Sequence, residues 1–445
     1  MSNETINWIQ QQLNETNELT KKSLQIDNQH SSIYFINTLA DTDMIQKVII
    51  IPFFEISSEQ TFEAYLKSLP QQQEYKSNQE LLNSLLTGSV LVVVKDQLLL
   101  IGLGKTHVNQ VQPISMEPTI HGSQLGLSED LTTNINILRK HYLQSDLTVE
   151  KGSIGEKNNQ EYAIFYDKSV VNENVLKMFK EKMTTIDKQL IQSPSQLVNF
   201  INQKKFALFP TTLLTERPDR MIYNIAGGKI VVVMDGSPQA IIAPAVFFDF
   251  MTSMEDNFHS YWISQFMRSL RYIGLFVCIL LPGLYIGVSS FSPEVLRTEL
   301  ALTIAGSRVG VPYPPYIEVL FMLFFMELLV EASVRLPKAV ASTATTVGGL
   351  ILGNAATEAS LTSNIMIIII SAVAISTFVI PINEMSFAVR IVRLTLLMFA
   401  SLFGLAGLTM ASIGILMYLV NLTSFGEPYL RLYNYRKRKD EDSFK

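Results

Sequence analysis

Three ionisable residues recur every four positions inside an otherwise apolar stretch of the sequence. Glu327, Glu331 and Arg335 fall on one face of a helix with about 3.6 residues per turn, and Glu318 points away from that face. Ionised side chains in a hydrocarbon core are costly, so they pair inside the protein or meet water in a pore or cavity. Two hypotheses remain: an intramembrane charge cluster that joins helices or subunits, or direct contact with permeating ions. Both predict a face turned away from lipid.

The next segment, residues 339–357, carries no charge and is rich in small and hydroxylated residues. Its Gly349-x-x-x-Gly353 spacing lets helix backbones approach closely, while its hydroxyls and Asn354 are able to face water. We interpret the segment as a packing seam, as a pore-lining or re-entrant helix, or as both. The predicted pore-lining or ion-pathway residues are Thr345, Thr346, Gly349, Gly353, Asn354 and Glu358.

Enzyme chemistry has no recognisable site in the sequence. Residues 102–106 end like a phosphate-binding loop, but Leu99 stands where the first glycine is required. The 5 histidines are scattered without metal-ligand spacing, and the single cysteine, Cys278, provides neither a disulfide framework nor a thiolate metal site. We therefore predict no enzymatic activity, no catalytic residue, no metal and no cofactor. The net charge of −5 gives no indication of a nucleic-acid partner.

The elements that position these residues belong to a membrane domain, because long uncharged runs begin after Arg271. Residues 272–293, 359–383 and 394–426 each reach or exceed the roughly 20 residues that a helix needs to cross a hydrocarbon core. The amino-terminal segment has neither a basic start nor an apolar signal region, so we expect it to stay in the cytosol. The cluster of basic residues after Arg431 also marks the cytoplasmic side.

About five apolar segments lie at membrane depth, whereas termini on the same side require an even number of crossings. We therefore predict an all-α polytopic membrane domain with about four spans and one broken or re-entrant helix within residues 315–357. Arg390 and Arg393 then fall outside the membrane, which the positive-inside rule disfavours. An interfacial helix over residues 384–393 partly accommodates them.

The region before the membrane domain predicts two small α/β subdomains. In the first, residues 48–54 have the pattern of a strand, residues 89–101 that of a hairpin, and residues 60–69 and 79–86 that of helices. The second alternates strands and helices, which is typical of a compact α/β domain. Its predicted strands are 162–166, 229–234 and 240–242, and its predicted helices are 129–143, 173–186 and 195–204. The predicted domains are 1–122 and 123–257 (α/β), 258–430 (transmembrane) and 431–445 (a basic cytosolic tail).

Several short stretches, in order along nearly the whole chain, resemble the A subunit of the GerA family of nutrient germinant receptors from endospore-forming bacteria. Each stretch is weakly specific, but their number and order together are specific. They are Glu129-Asp-Leu-Thr-Thr-Asn134, Thr215-Glu-Arg-Pro-Asp219, Asp235-Gly-Ser-Pro238, Leu281-Pro-Gly-Leu-Tyr285, Ser307-Arg-Val-Gly-Val-Pro-Tyr-Pro314, Glu327-Leu-Leu-Val-Glu-Ala-Ser-Val-Arg-Leu-Pro337, Val347-Gly-Gly-Leu-Ile-Leu-Gly353 and Ser424-Phe-Gly-Glu-Pro-Tyr429.

The resemblance implies a multi-pass protein of the spore inner membrane with both termini cytoplasmic. It implies a homo-oligomer, thought to be a ring whose membrane domain forms a nutrient-gated cation channel. The implied partners are a transporter-like B subunit that binds the nutrient, a lipoprotein C subunit and the lipid bilayer. Two alternatives remain: a non-conducting scaffold or signalling subunit, and a carrier, which the lack of obvious duplicated halves disfavours.

Overall fold

The computed structural model describes residues 2–13, 19–26, 29–74, 77–95, 97–104, 111–186, 190–202 and 207–431. They form two compact units: the first holds the described residues up to 202 together with 212–244, and the second holds 207–211 and 245–431. The first unit is α/β with two five-stranded antiparallel sheets, and the second is helical. The predicted basic tail after Arg431 lies outside the described residues.

The first sheet has the strand order β1-β2-β4-β5-β3. Its strands are β1 (Leu19–Ile26), β2 (Gln29–Ile36), β3 (Gln72–Gln73), β4 (Ser89–Val94) and β5 (Gln97–Gly102). Its helices are α1 (Ser2–Leu13), α2 (Thr42–Ile45), α3 (Ile51–Glu55), α4 (Glu59–Ser68) and α5 (Asn78–Leu86), with a π-helical turn, Gln46–Ile50, joining α2 to α3. The predicted hairpin over 89–101 is confirmed as β4 and β5, with Lys95 in its turn at φ 50°.

The predicted strand over residues 48–54 is wrong, because that segment is helical. Its run of β-branched residues favours a strand, but Ile45, Ile49 and Phe53 follow one another at helical spacing and are all buried in the core beneath the sheet. Asp41 begins the helical segment by accepting hydrogen bonds from the backbone N–H groups of Asp43 and Met44. Burial of one helical face and a side-chain cap therefore override the local propensity.

The second sheet has the order β6-β7-β9-β10-β8. Its strands are β6 (Leu147–Ile154), β7 (Gln160–Asp167), β8 (Leu213–Thr215), β9 (Ile230–Met234) and β10 (Ala240–Ala243). Its helices are α6 (Leu131–His141), α7 (Glu173–Thr184), α8 (Pro194–Ile201) and α9 (Pro218–Ala226). The strands predicted in this region are confirmed. Helix α6 is capped by Asp130, whose carboxylate accepts from the Thr133 N–H at 2.6 Å.

The Thr215–Asp219 stretch has a structural role in this unit. Arg217 is fully buried and its guanidinium binds both carboxylate oxygens of Asp219, at 3.0 and 2.6 Å. It also donates to the backbone carbonyl of Glu117 at 3.0 Å, and Arg220 pairs with the Glu117 carboxylate at 2.5 Å. The carboxylate of Glu216 accepts from the backbone N–H groups of Ser115 and Met116. These bonds hold the segment that precedes α6.

The second unit contains α10 (Phe247–Phe250), a 3-10 turn (Met254–Asn257), α11 (Tyr261–Ile286) with a π-helical extension (Gly287–Phe291), a 3-10 turn (Pro293–Val295), α12 (Thr298–Ser307), α13 (Pro315–Arg335), α14 (Lys338–Glu358), α15 (Asn364–Phe378), α16 (Asn383–Val420), β11 (Thr423–Ser424) and β12 (Glu427–Pro428). By length and composition alone, two helices in the described part of the chain are able to cross a bilayer, Tyr261–Phe291 and Asn383–Val420. Asn364–Phe378 is a shorter apolar helix.

Helix α16 reverses direction at Gly404, where φ is 63° and ψ is −143°. A Cβ atom at Gly407 would contact the carbonyl oxygen of Phe399, which lies eight residues earlier in the sequence. In a straight helix eight residues span about 12 Å, so the chain must fold back between these two positions. Ala400 and Leu408 both lie against Gly283 of α11, which places the two arms of α16 side by side. Only glycine adopts this backbone conformation readily, and a Cβ at Gly404 would lie 2.7 Å from the Phe291 ring.

The carboxyl-terminal end of α16 is anchored by an aromatic cluster. Tyr429 is fully buried beside Phe209, Phe247 and Phe250. Its carbonyl accepts from the Phe247 N–H at 2.9 Å, and the Ser424 hydroxyl donates to the Thr211 carbonyl at 2.7 Å. The Ser424–Tyr429 stretch thus fixes the end of α16 beside the segment that leads into α11.

Candidate functional site

Helices α13 and α14 form a hairpin joined by Leu336 and Pro337. Pro337 cannot donate a backbone hydrogen bond, and Leu336 before it is held in an extended conformation, so the first helix ends there. Gly349 of α14 faces Leu329 of α13. The segment in which we predicted a broken or re-entrant helix is therefore made of two helices that pack against each other.

A cavity of about 560 Å³ lies between this hairpin and α15. Four of the six predicted pore-lining residues, Thr345, Thr346, Gly349 and Gly353, line it. The other two, Asn354 and Glu358, lie on the exposed side of α14 and are not part of the lining. A Cβ placed on Gly353 would meet no atom within 4 Å. Gly353 therefore borders open space in this chain, whereas a Cβ on Gly349 would contact the Leu329 side chain at 3.9 Å.

The predicted charge cluster of Glu327, Glu331 and Arg335 is divided between two sets of ion pairs. Glu331 and Arg335 pair with each other at 2.7 Å, and their side chains are 63% and 78% exposed. Glu327 instead pairs with Arg390, at 3.2 Å, and with Arg393. Sequence reasoning missed these two partners, although their spacing of three residues on one helix puts them on one face.

Arg393 is the most buried member of this group. Its side chain is 0% exposed, and besides Glu327 it lies 3.3 Å from the Thr377 hydroxyl and 3.5 Å from the Cys278 sulfur. The group thus connects α11, α13, α15 and α16. A guanidinium enclosed by apolar helices depends on its carboxylate partner, since an unpaired buried charge is strongly destabilising. Among the described residues, no three His, Cys, Asp or Glu side chains are grouped so as to hold a metal ion.

Glu318 forms a second buried polar centre on the opposite face of α13. Its carboxylate accepts from the Thr362 hydroxyl at 3.0 Å, from the Ser363 N–H at 2.6 Å and from the Ser363 hydroxyl at 2.8 Å. Arg308 pairs with its other oxygen at 3.3 Å. Ser363 also caps α15 by accepting from the Met366 N–H. Glu318 therefore fixes the start of α15 to the start of α13, and places a negative charge at a helix amino terminus, where it is favourable.

Replacing Glu318 by Ala is expected to lower the free energy of unfolding by about 3–5 kcal/mol, because Arg308 loses its carboxylate and the Ser363 donors lose their acceptor. Cys278 is the single cysteine and is buried, so its reaction with a thiol-reactive fluorophore reports unfolding in detergent. The exposed Glu299 on α12 provides the matched control, and Glu299→Ala is expected to melt like the wild type. Equal melting temperatures for both variants would contradict the assigned role of Glu318.

Comparison with known proteins identifies relatives over nearly the whole chain. The family described as Bacillus/Clostridium GerA spore germination protein matches residues 7–444. Spore germination protein GerLA of Bacillus cereus is 30% identical over 436 residues, covering 96% of this chain and 89% of that protein. Spore germination protein KA of Bacillus subtilis (strain 168) is 32% identical over 412 residues, covering 91% and 76%.

The comparison with solved structures also finds a match. The crystal structure of the N-terminal domain of the A subunit of the Bacillus megaterium spore germinant receptor GerK3 aligns with 54% of this chain and 94% of that domain, at 20% identity and a TM-score of 0.40. The family match extends over both units described above. The chain therefore belongs to the GerA family of Bacillus/Clostridium spore germination proteins.

Proposed function

We propose that this protein is the A subunit of a spore germinant receptor and that several copies form a nutrient-gated cation channel in the spore inner membrane. Membership of the GerA family supports the role in germination. In this proposal a transporter-like B subunit and a lipoprotein C subunit complete the receptor. The observation that carries the channel function is the outward face of α14.

One stripe of α14 is exposed along the whole helix. Its residues recur every three or four positions and are Thr343, Val347, Leu350, Asn354 and Glu358. The stripe is polar at both ends and apolar in the middle, and Glu358 places a carboxylate at one mouth. Apolar constrictions gate channels by excluding water, and rings of carboxylates attract cations. Arranged around an axis, several copies of this stripe form a pore with a central apolar gate.

The helix directions support six crossings, in place of the four spans and one re-entrant helix that we predicted from the sequence. Gly274 of α11 lies against Val379, Cys278 lies 3.2 Å from the Thr377 hydroxyl, and Tyr285 packs with Met366, so α15 runs antiparallel to α11. The crossings are then α11, α13, α14, α15 and the two arms of α16, residues 383–403 and 405–420.

An even number of crossings keeps both termini on the cytoplasmic side. The same arrangement moves Arg390 and Arg393, together with Arg335 at the turn of the α13–α14 hairpin, to the cytoplasmic half. This satisfies the positive-inside rule, which the four-span arrangement did not. The arms of α16 measure about 31 Å and 24 Å at 1.5 Å per residue, comparable to a hydrocarbon core of about 30 Å.

The channel is tested by K⁺ efflux from liposomes that contain the purified full-length chain. Val347→Ser and Leu350→Ser wet the apolar gate, so each is expected to raise efflux without nutrient by roughly tenfold, equivalent to about 1.4 kcal/mol on the gating equilibrium. Ile375→Ser is the matched control, since Ile375 is an exposed apolar residue on α15 outside the stripe, and its efflux is expected to equal that of the wild type. No efflux from any inserted variant would indicate the non-conducting scaffold instead.

A further inference from the structure

The cavity behind α14 has an apolar body. Most of its lining consists of methionine and aliphatic or aromatic side chains, among them Met322 and Met326 of α13, Leu352 of α14, and Ile367, Ala374 and Phe378 of α15. Its volume of about 560 Å³ falls within the range of roughly 300–1,000 Å³ that is usual for small-molecule sites. The cavity is thus large enough for an acyl chain or a molecule of similar size.

Four hydroxyl groups of the lining donate to backbone carbonyls of their own helices. Thr345 donates to the Ala341 carbonyl at 2.5 Å, Thr346 to the Ser342 carbonyl at 2.8 Å, and Ser333 to the Val330 carbonyl at 2.7 Å. Thr377 likewise donates to the Val373 carbonyl at 2.8 Å. Because each of these protons is engaged by its own helix, they contribute methyl groups and oxygen lone pairs to the wall.

Arg390 is the cationic group of the lining. It shares the single carboxylate of Glu327 with Arg393, so two guanidinium groups face one acid. The Nε atoms of Arg390 and Arg393 are both buried and have no hydrogen-bond partner among the described residues. The Arg390 guanidinium also lies 5.1 Å from the centre of the Phe387 ring, but among the described residues one of the two positive charges has no acid of its own, which is costly among apolar helices.

We propose that this cavity binds an amphiphile with one acyl chain in the apolar body and one anionic head, a carboxylate or a phosphate, against Arg390. The head supplies the missing negative charge and a charge-assisted hydrogen bond to the guanidinium. The chain fills the space between α14 and α15, which the glycines of α14 leave open. Two sources provide this chemistry: a free fatty acid, or an anionic phospholipid of the bilayer.

Binding is measured with radiolabelled decanoate and the full-length chain in phosphatidylcholine nanodiscs. We expect saturable binding that decanol, the uncharged control of the same chain length, competes for poorly. Arg390→Gln is expected to weaken decanoate binding by about tenfold and to leave decanol unchanged. Gly353→Leu fills the cavity and is expected to abolish binding of both, whereas Gly414→Leu, at another glycine with open space around its Cβ position, is the control with normal binding.

The two sources are separated by adding phosphatidylglycerol to the nanodiscs. Displacement of decanoate by phosphatidylglycerol assigns the site to the bilayer lipid, and undiminished binding assigns it to the free acid. Equal affinity of the wild type for decanoate and decanol, or binding that Gly353→Leu leaves intact, would overturn the proposal. Melting of each variant, followed through Cys278, verifies that it is folded. The binding result does not depend on whether the protein conducts ions.

Discussion

Replacing Glu327 by Gln is expected to lower the free energy of unfolding by about 3–5 kcal/mol and to reduce the amount of protein in the membrane. Glu327 is the shared carboxylate of Arg390 and Arg393, and Arg393 is fully buried. Without it, two guanidinium groups stay among apolar helices with no acid, and breaking a buried pair in this way carries the full desolvation cost. The measurement is the melting temperature followed through Cys278, which lies 3.5 Å from Arg393.

The charge balance predicts that losing Glu327 destabilises the protein far more than losing Arg390. Arg390→Gln leaves one acid with one base, so we expect a cost of less than about 1 kcal/mol or a gain. Glu331→Gln is the matched control on the same helix, because Glu331 and its partner Arg335 are mostly exposed and such pairs contribute only about 0–1 kcal/mol. Normal stability of Glu327→Gln together with altered K⁺ conductance would instead place Glu327 in the ion pathway.

Local sequence patterns predicted the elements whose stabilising contacts are close in the chain. The hairpin of β4 and β5 follows from two short apolar runs on either side of its turn residues, and the helix α6 from apolar residues at helical spacing. The strand prediction for residues 48–54 was wrong because it rested on the local pattern alone. These residues satisfy a strand pattern locally, and only the distant core into which Ile49 and Phe53 fit decides for a helix.

The candidate site could be predicted only in part, because it is formed by contacts between residues that are far apart in the sequence. Glu327 was recognised as an ionisable residue at membrane depth, but its partners lie 63 and 66 residues further along the chain. Thr345, Thr346, Gly349 and Gly353 were recognised as a polar small-residue face. That this face borders a cavity in the same chain follows from the position of α15, which the sequence of α14 does not specify.

The reversal of α16 illustrates the same limit. Residues 394–426 read as one apolar run, and they contain Gly404, Gly407 and Gly414. Any of these glycines permits a reversal, but of the three only Gly404 adopts a positive φ, and a Cβ there would meet the Phe291 ring. Reading the run as a single span put the preceding arginines on the outer side. If the run instead forms two arms of α16, each arm crosses the membrane, and Asn383 then lies on the cytoplasmic side.

Cysteine labelling is therefore expected to distinguish the two arrangements completely. With Cys278 replaced by Ser, single cysteines are introduced at Asn383, Leu402 and Val295, which are all exposed. Six crossings place Asn383 inside and Leu402, near the Gly404 reversal, outside. A membrane-impermeant thiol reagent applied to intact cells is expected to label Leu402→Cys but to label Asn383→Cys only after permeabilisation.

Val295→Cys, in the loop after α11, is the control that both arrangements place outside, and it is expected to be labelled in intact cells. A cysteine at Ser443 is expected to be protected, since both arrangements put the basic tail inside. Labelling of Asn383→Cys in intact cells would restore the four-span arrangement and leave Arg390 and Arg393 on the outer side. In that case the Glu327 group would face outward, and the positive-inside rule would have failed at this loop. Protection of Asn383 and Ser443 together with labelling of Leu402 requires both arms of α16 to cross.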